Sequence, residues 1–137
     1  MIASFDKRVL YLSPTIDGSQ HDYRLLKDHF PPELPWFDYP IVLVDLGFQG
    51  ILSDYQGDNI LIPFKKPRKS KLNPDPQLSD EHKAVNQALA SVRVRVEHAI
   101  AGVKRLNIVS HTFRNRKTDF NDQVIAVSSA LWNFSLA

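Results

Sequence analysis

The stretch from residue 41 to residue 50, IVLVDLGFQG, carries four consecutive apolar residues, three of them β-branched, and no charge until Asp45. An unbroken apolar run, as opposed to an alternating one, is the pattern of a strand covered on both faces in a parallel or mixed sheet. Asp45 then stands at the strand's carboxyl end, the edge along which open α/β sheets build their sites. Downstream, NILIPF (residues 59–64) reads as a second short buried strand. It is followed by KKPRKSKLNPDPQ (residues 65–77), a Lys-, Arg- and Pro-rich loop with no residues to give to a core.

From Ser79 a long helix is expected. Ser79 is suited to its N-cap, and Asp80 and Glu81 suit the positive end of the helix dipole. Its apolar positions Val85, Leu89, Val92, Val96, Ile100 and Val103 step by three and four, the period of an amphipathic helix. A last helix from about Asp119 places Phe120, Val124, Val127, Leu131 and Phe134 on one stripe, expected to pack into the core. Upstream of the central run, MIASFD and RVLYLSP flank Asp6-Lys7 as a β-hairpin. The turn residues Asp17, Gly18 and Ser19 precede a short helix in which Tyr23, Leu26 and Phe30 share a face, with Asp22 capping or orienting it. PPELPWFDYP (residues 31–40) reads as an irregular surface connection.

At 137 residues the chain is expected to form one domain, residues 1–137. With 43% hydrophobic and 23% charged residues its composition is that of a globular protein, and no apolar window is long enough to span a bilayer. The first residues lack the pattern of a signal peptide, and the absence of cysteine excludes disulfides, thiolate zinc sites and a Cys nucleophile. A cytoplasmic location follows as the expectation. The net charge of +2 conceals a division: residues 1–64 hold 4 Lys and Arg against 9 Asp and Glu, whereas residues 65–137 hold 13 against 6. Charge segregated in this way suits a polyanion such as nucleic acid.

On the long helix, Asn86, Arg93, Glu97 and Lys104 fall along one line bordering the apolar stripe, which puts Glu97 at the rim of the core. One reading is an i, i+4 ion pair from Arg93 to Glu97, worth about 0.3–0.5 kcal/mol. The other joins Glu97 to Asp45 as a hard, oxygen-only donor set suited to Mg²⁺ or Mn²⁺. Two such ions about 4 Å apart activate water and steady the leaving oxygen of an in-line displacement at phosphorus, while nearby cations meet phosphates. His21 and His98 fit no zinc-helix pattern and are read as structural, and Trp36 and Trp132 as packing residues.

VLVDLGFQG, with 51 residues between its Asp45 and Glu97 in the pattern R-x3-E-x6-K (Arg93, Glu97, Lys104), resembles the catalytic domain of DDE superfamily insertion-sequence transposases. GSQHD (18–22), KKPRK (65–69), VNQALASVRVRVEH (85–98) and FRNRKTDFND (113–122) extend the resemblance over nearly the whole chain. It implies an α/β, RNase H-like fold, a mixed sheet flanked by helices, and metal-dependent DNA cleavage with strand transfer. Asp45 matches the second acid of the family's triad and Glu97 the third. Gly47 and Gly50 become the turn that exposes Asp45.

DNA contacts are expected from Lys65, Lys66, Arg68, Lys69, Lys71, Arg93, Lys104, Arg105, Arg114 and Arg116. The cofactor implied is Mg²⁺ or Mn²⁺ in a two-metal site, with transposon ends and target DNA as partners. An upstream transposase fragment and a second copy of the chain are further implied partners, and the DNA-bound protein would associate with the nucleoid.

Two departures accompany the match. Ala90 stands where the related motif has Tyr, and the first Asp of the triad belongs on a central strand preceding the opening hairpin. Asp17 and Asp6 are the alternative sources of that acid in this chain. Two functional classes follow: a truncated or split DNA endonuclease and strand transferase, or an inactive remnant binding DNA nonspecifically through its basic half.

Overall fold

The computed structural model describes residues 1–16, 18, 21–111, 115 and 117–137. It is a mixed α/β structure with two small two-stranded sheets, and the chain forms two compact units, residues 1–17 with 92–137, and residues 18–91. The elements run β1 (Ile2–Ala3), β2 (Val9–Tyr11), α1 (Asp22–His29), β3 (Val42–Leu43), α2 (Ile51–Asp54), β4 (Ile60–Leu61), α3 (Asp80–Lys104) and α4 (Phe120–Ser135). Short 3-10 turns lie at Leu46–Phe48 and Asn107–Val109. No helix among the described residues is long and apolar enough to cross a membrane.

In the unit of residues 18–91, β3 and β4 pair in parallel, with Val42 opposite Ile60 and Leu43 opposite Leu61. The parallel pairing agrees with the unbroken apolar run, although the regular strand is only two residues long. The core is Phe37, Ile51, Tyr55 and Ile60, with Tyr23, Leu26, Phe30, Val42 and Val44 packed against it. Two connections expected to lie wholly at the surface give residues to the interior: Phe37 from the Pro-rich stretch, and Pro76 from the basic loop, which is fully buried. Proline suits such a place because a ring without an N–H leaves no donor to satisfy.

Helix α1 is capped by His21, whose Nδ1 accepts the Tyr23 N–H, and Asp22, expected to cap or orient the helix, is its first residue. Tyr23 donates its hydroxyl to Asp54 at 2.5 Å, and Lys27 reaches the same carboxylate at 3.2 Å. These two donors, the tyrosine first, hold the Asp54 carboxyl below its ordinary range. Burial and then the Asp54 carboxylate push the Tyr23 hydroxyl well above its own.

In the other unit, β1 and β2 form the expected antiparallel hairpin, with Lys7 in the left-handed region at φ 71°. Helix α4 binds the hairpin's main chain: Asn133 Oδ1 accepts the Val9 N–H at 2.8 Å, and its Nδ2 donates to the Val9 carbonyl at 2.9 Å. Trp132 Nε1 donates to the Lys7 carbonyl at 2.8 Å. These bonds fix the rotation of α4 and overturn the latter part of the expected stripe, whose first members Phe120 and Val124 are half-buried. Ser128 and Ser129 are the buried residues of the helix, whereas Val127, Leu131 and Phe134 are 59%, 52% and 80% exposed.

The second half of α3 buries Val103, as its stripe predicts, together with Ala99 and Gly102, whereas Ile100 of the same stripe is 37% exposed. Gly102 lies directly under the indole of Trp132, where an added Cβ would come within 2.3 Å of ring carbon. Alanine in place of glycine gains up to about 1 kcal/mol of helix propensity. Overpacking against a ring pinned through Nε1 costs about 1–3 kcal/mol. Gly102→Ala is therefore expected to lower the melting temperature, and a melt at or above the wild-type value would show that the ring yields.

Candidate active site

Asp45 follows β3 because the strand ends there: its main chain turns into the Leu46–Phe48 3-10 turn, and its own carboxylate caps that turn. Oδ1 accepts the Gly47 N–H at 2.7 Å. A Cβ at residue 47 would stand 2.9 Å from that oxygen, so glycine keeps the carboxylate in its place. Gly50, at φ 102°, then reverses the chain into α2, and Ile51 plugs the core beneath. Asp45 is thereby held on an exposed turn over a buried floor, as the strand-end reading required.

Glu97 lies on α3 and is exposed, with 55% of its side chain accessible, and is not at a core rim. The i, i+4 ion pair is present: Arg93 meets Glu97 at 3.2 Å. Lys104 is exposed at the last helical residue, and Arg105 lies over the Trp132 ring, 5.8 Å from its centre. Glu97 with its cations belongs to the unit of residues 1–17 and 92–137, and Asp45 to the unit of residues 18–91. Among the described residues no group of three or more His, Asp or Glu is placed so that it could hold a metal ion.

The basic loop leaves β4 through Phe64. Lys65, Lys66, Arg68, Lys69 and Lys71 are all exposed. Lys65 alone of these five has a described side-chain bond, donating to Gln49 Oε1 at 3.1 Å. Arg114, Arg116 and Asp17 lie outside the described residues. Beside the Asp45 turn runs an apolar groove of about 640 Å³ lined by Leu46, Leu52, Leu61, Phe64, Val85 and Leu89 among others, with Lys65 its single charged residue.

Sequence reasoning missed the residues that join these parts. Asn86, noted only for its alignment with Glu97, accepts the Phe64 N–H at 2.8 Å through Oδ1 and donates to the Phe64 carbonyl at 2.9 Å through Nδ2. One turn earlier His82 stacks on the Phe64 ring, 3.8 Å between centres and 15° from parallel. The available signal was the i, i+4 spacing of His82 and Asn86, which carries no hint of a partner 22 residues upstream.

Residues 1–133 match the family model described as DDE superfamily endonuclease. Over 120 residues the chain is 31% identical to a protein of Microchaete diplosiphon named as a probable transposase for insertion sequence element IS702. The alignment covers 88% of this chain and 39% of that protein, so the chain spans well under half the length of its relative. No solved structure matches.

Proposed function

Since the chain belongs to the DDE superfamily endonucleases, we propose that it is part of a transposase catalytic domain that cleaves and transfers DNA strands with a divalent metal, Mg²⁺ or Mn²⁺. Asp45 and Glu97 are the metal-binding carboxylates in this reading. The observation that carries it is the seating of Asp45: a carboxylate at a parallel strand's end, oriented by the Gly47 N–H and open to solvent. Both acids are hard oxygen donors, the chemistry these ions select. When bound, such a metal supplies an activated water and charge neutralisation at phosphorus. The chain's own task is to hold the acids and to meet the DNA backbone with Lys65, Lys66, Arg68, Lys69, Lys71, Arg93, Lys104 and Arg105.

The complete fold in this reading is RNase H-like, with a further central strand on the open edge of β3. Val42 and Val44 both donate their N–H toward β4, so the Leu43 main chain between them points the other way. One edge of each strand pair is already closed by a side chain, β2 by Asn133 and the continuation of β4 by Asn86. In this reading the segment that precedes the hairpin in the family's fold supplies that strand and a further acid.

The test is nicking of element-end DNA in Mg²⁺ or Mn²⁺, with and without an upstream transposase segment supplied in trans. Nicking that requires the metal and is lost in chelator supports the reading. DNA bound but never nicked in either arrangement reduces the chain to a binding remnant.

A further inference from the structure

We infer that Asn86 is a positioning residue which, through Phe64, holds Lys65 against the Asp45 turn as a contact for a phosphate of the bound DNA strand; this rests on the proposed reading of the chain as part of a DNA-cleaving domain. Asn86 treats Phe64 as a neighbouring strand would, one acceptor and one donor to the same residue. His82 fixes the ring of that residue as well. The backbone is thus clamped to α3 at the last point before the basic loop.

Lys65 is the next residue, and its ammonium reaches Gln49, which ends the turn that Asp45 begins. Asn86, Phe64, Lys65 and Gln49 form one bonded path from the helix to the acid's turn.

Within the unit that holds Asp45 the chemistry of Lys65 separates it from the other held cations, since Arg95, bonded to the Phe5 carbonyl, and Arg105, over the Trp132 ring, belong to the other unit. Arg8, Lys27, Lys83 and Arg93 are each paired with a carboxylate. Lys65 is held by a neutral amide, and among the described residues no carboxylate pairs with it. An ammonium has three donors, so two remain for a phosphate oxygen while its charge stays uncompensated. The other cations of the loop extend from an irregular segment without such a tether. Lys65 is therefore the loop cation already in place when a strand arrives at Asp45.

The test is the binding of a 20-base-pair duplex by fluorescence anisotropy at 50 and 200 mM salt, for the wild-type chain, Asn86→Ala, Lys65→Ala and the double variant. One phosphate contact contributes a slope of about 0.9, so its loss shrinks the ratio of Kd between these salts by roughly threefold. Asn86→Ala and Lys65→Ala are each expected to show that change, and the double variant no more than either alone. A wild-type ratio in Asn86→Ala overturns the inference, as does a double variant in which the two losses multiply, since a general loosening of the fold acts with or without Lys65.

Should Asn86→Ala fail to fold, the isosteric Asn86→Asp serves instead. Its carboxylate still accepts the Phe64 N–H but cannot donate to the carbonyl, and the same shrinkage and non-additivity with Lys65→Ala are expected, a wild-type ratio again overturning the inference. A wild-type chain with no salt-dependent DNA binding removes the DNA reading itself. Salt-dependent wild-type binding with Asn86 variants unaltered removes only the positioning role.

Discussion

DNA affinity is expected to fall by about 10³–10⁵ between 50 and 200 mM salt, provided six to ten of the cations after residue 64 meet phosphate. The expectation comes from the number and placement of charges. Residues 65–137 hold 13 Lys and Arg against 6 Asp and Glu, and the five cations from Lys65 to Lys71 are exposed on one irregular segment. Of the described cations beyond it, Arg93 is partly offset by Glu97 and Lys83 by Asp80. Exposed pairs of this kind exchange readily with a phosphate because each is worth about 1 kcal/mol or less. Neutralising Lys65, Lys66, Arg68, Lys69 and Lys71 together should flatten the logarithmic slope by as much as roughly 4.5. An anisotropy titration across salt reads this directly, and an unaltered slope would take the loop off the DNA surface.

Asp45→Asn and Glu97→Gln are each expected to reduce metal-dependent nicking by more than about 10²-fold. Changing a residue that merely orients a metal ligand costs about 10–100-fold, so loss of a ligand's charge costs more. Asparagine at 45 keeps an oxygen for the Gly47 N–H and so preserves the turn, while removing the negative charge a divalent ion needs. Glutamine at 97 loses an exposed ion pair with Arg93, a stability cost of about 1 kcal/mol or less. Both variants should therefore fold as the wild type does, which a thermal melt checks alongside the nicking rate. Nicking unchanged in both would show that the metal is held elsewhere.

The sequence by itself determined what depends on residues close along the chain. The hairpin at Asp6-Lys7, the start of α3 at Ser79, the Arg93–Glu97 pair and the place of Asp45 at a strand's end were legible. Each follows from local alternation, helical spacing or a capping side chain. The order of Asp45, Arg93, Glu97 and Lys104 likewise sufficed to point to the family.

Only the tertiary structure decided which faces those elements bury. The Val127, Leu131 and Phe134 stripe of α4 is the more apolar, yet the helix is turned so that Asn133 and Trp132 satisfy the main chain of Val9 and Lys7. Leaving such groups unpaired where they are part-buried costs about 1–3 kcal/mol each, comparable to the burial of one large apolar side chain. Three directed bonds therefore offset a comparable amount of apolar burial, and being directional they fix which way the helix faces. The same holds for Asn86, whose partner Phe64 lies 22 positions away, and for Phe37 and Pro76, drawn inward from stretches that by composition belong outside. Hydrogen bonds between distant residues leave no period in a sequence, because their geometry exists only once both elements are in place.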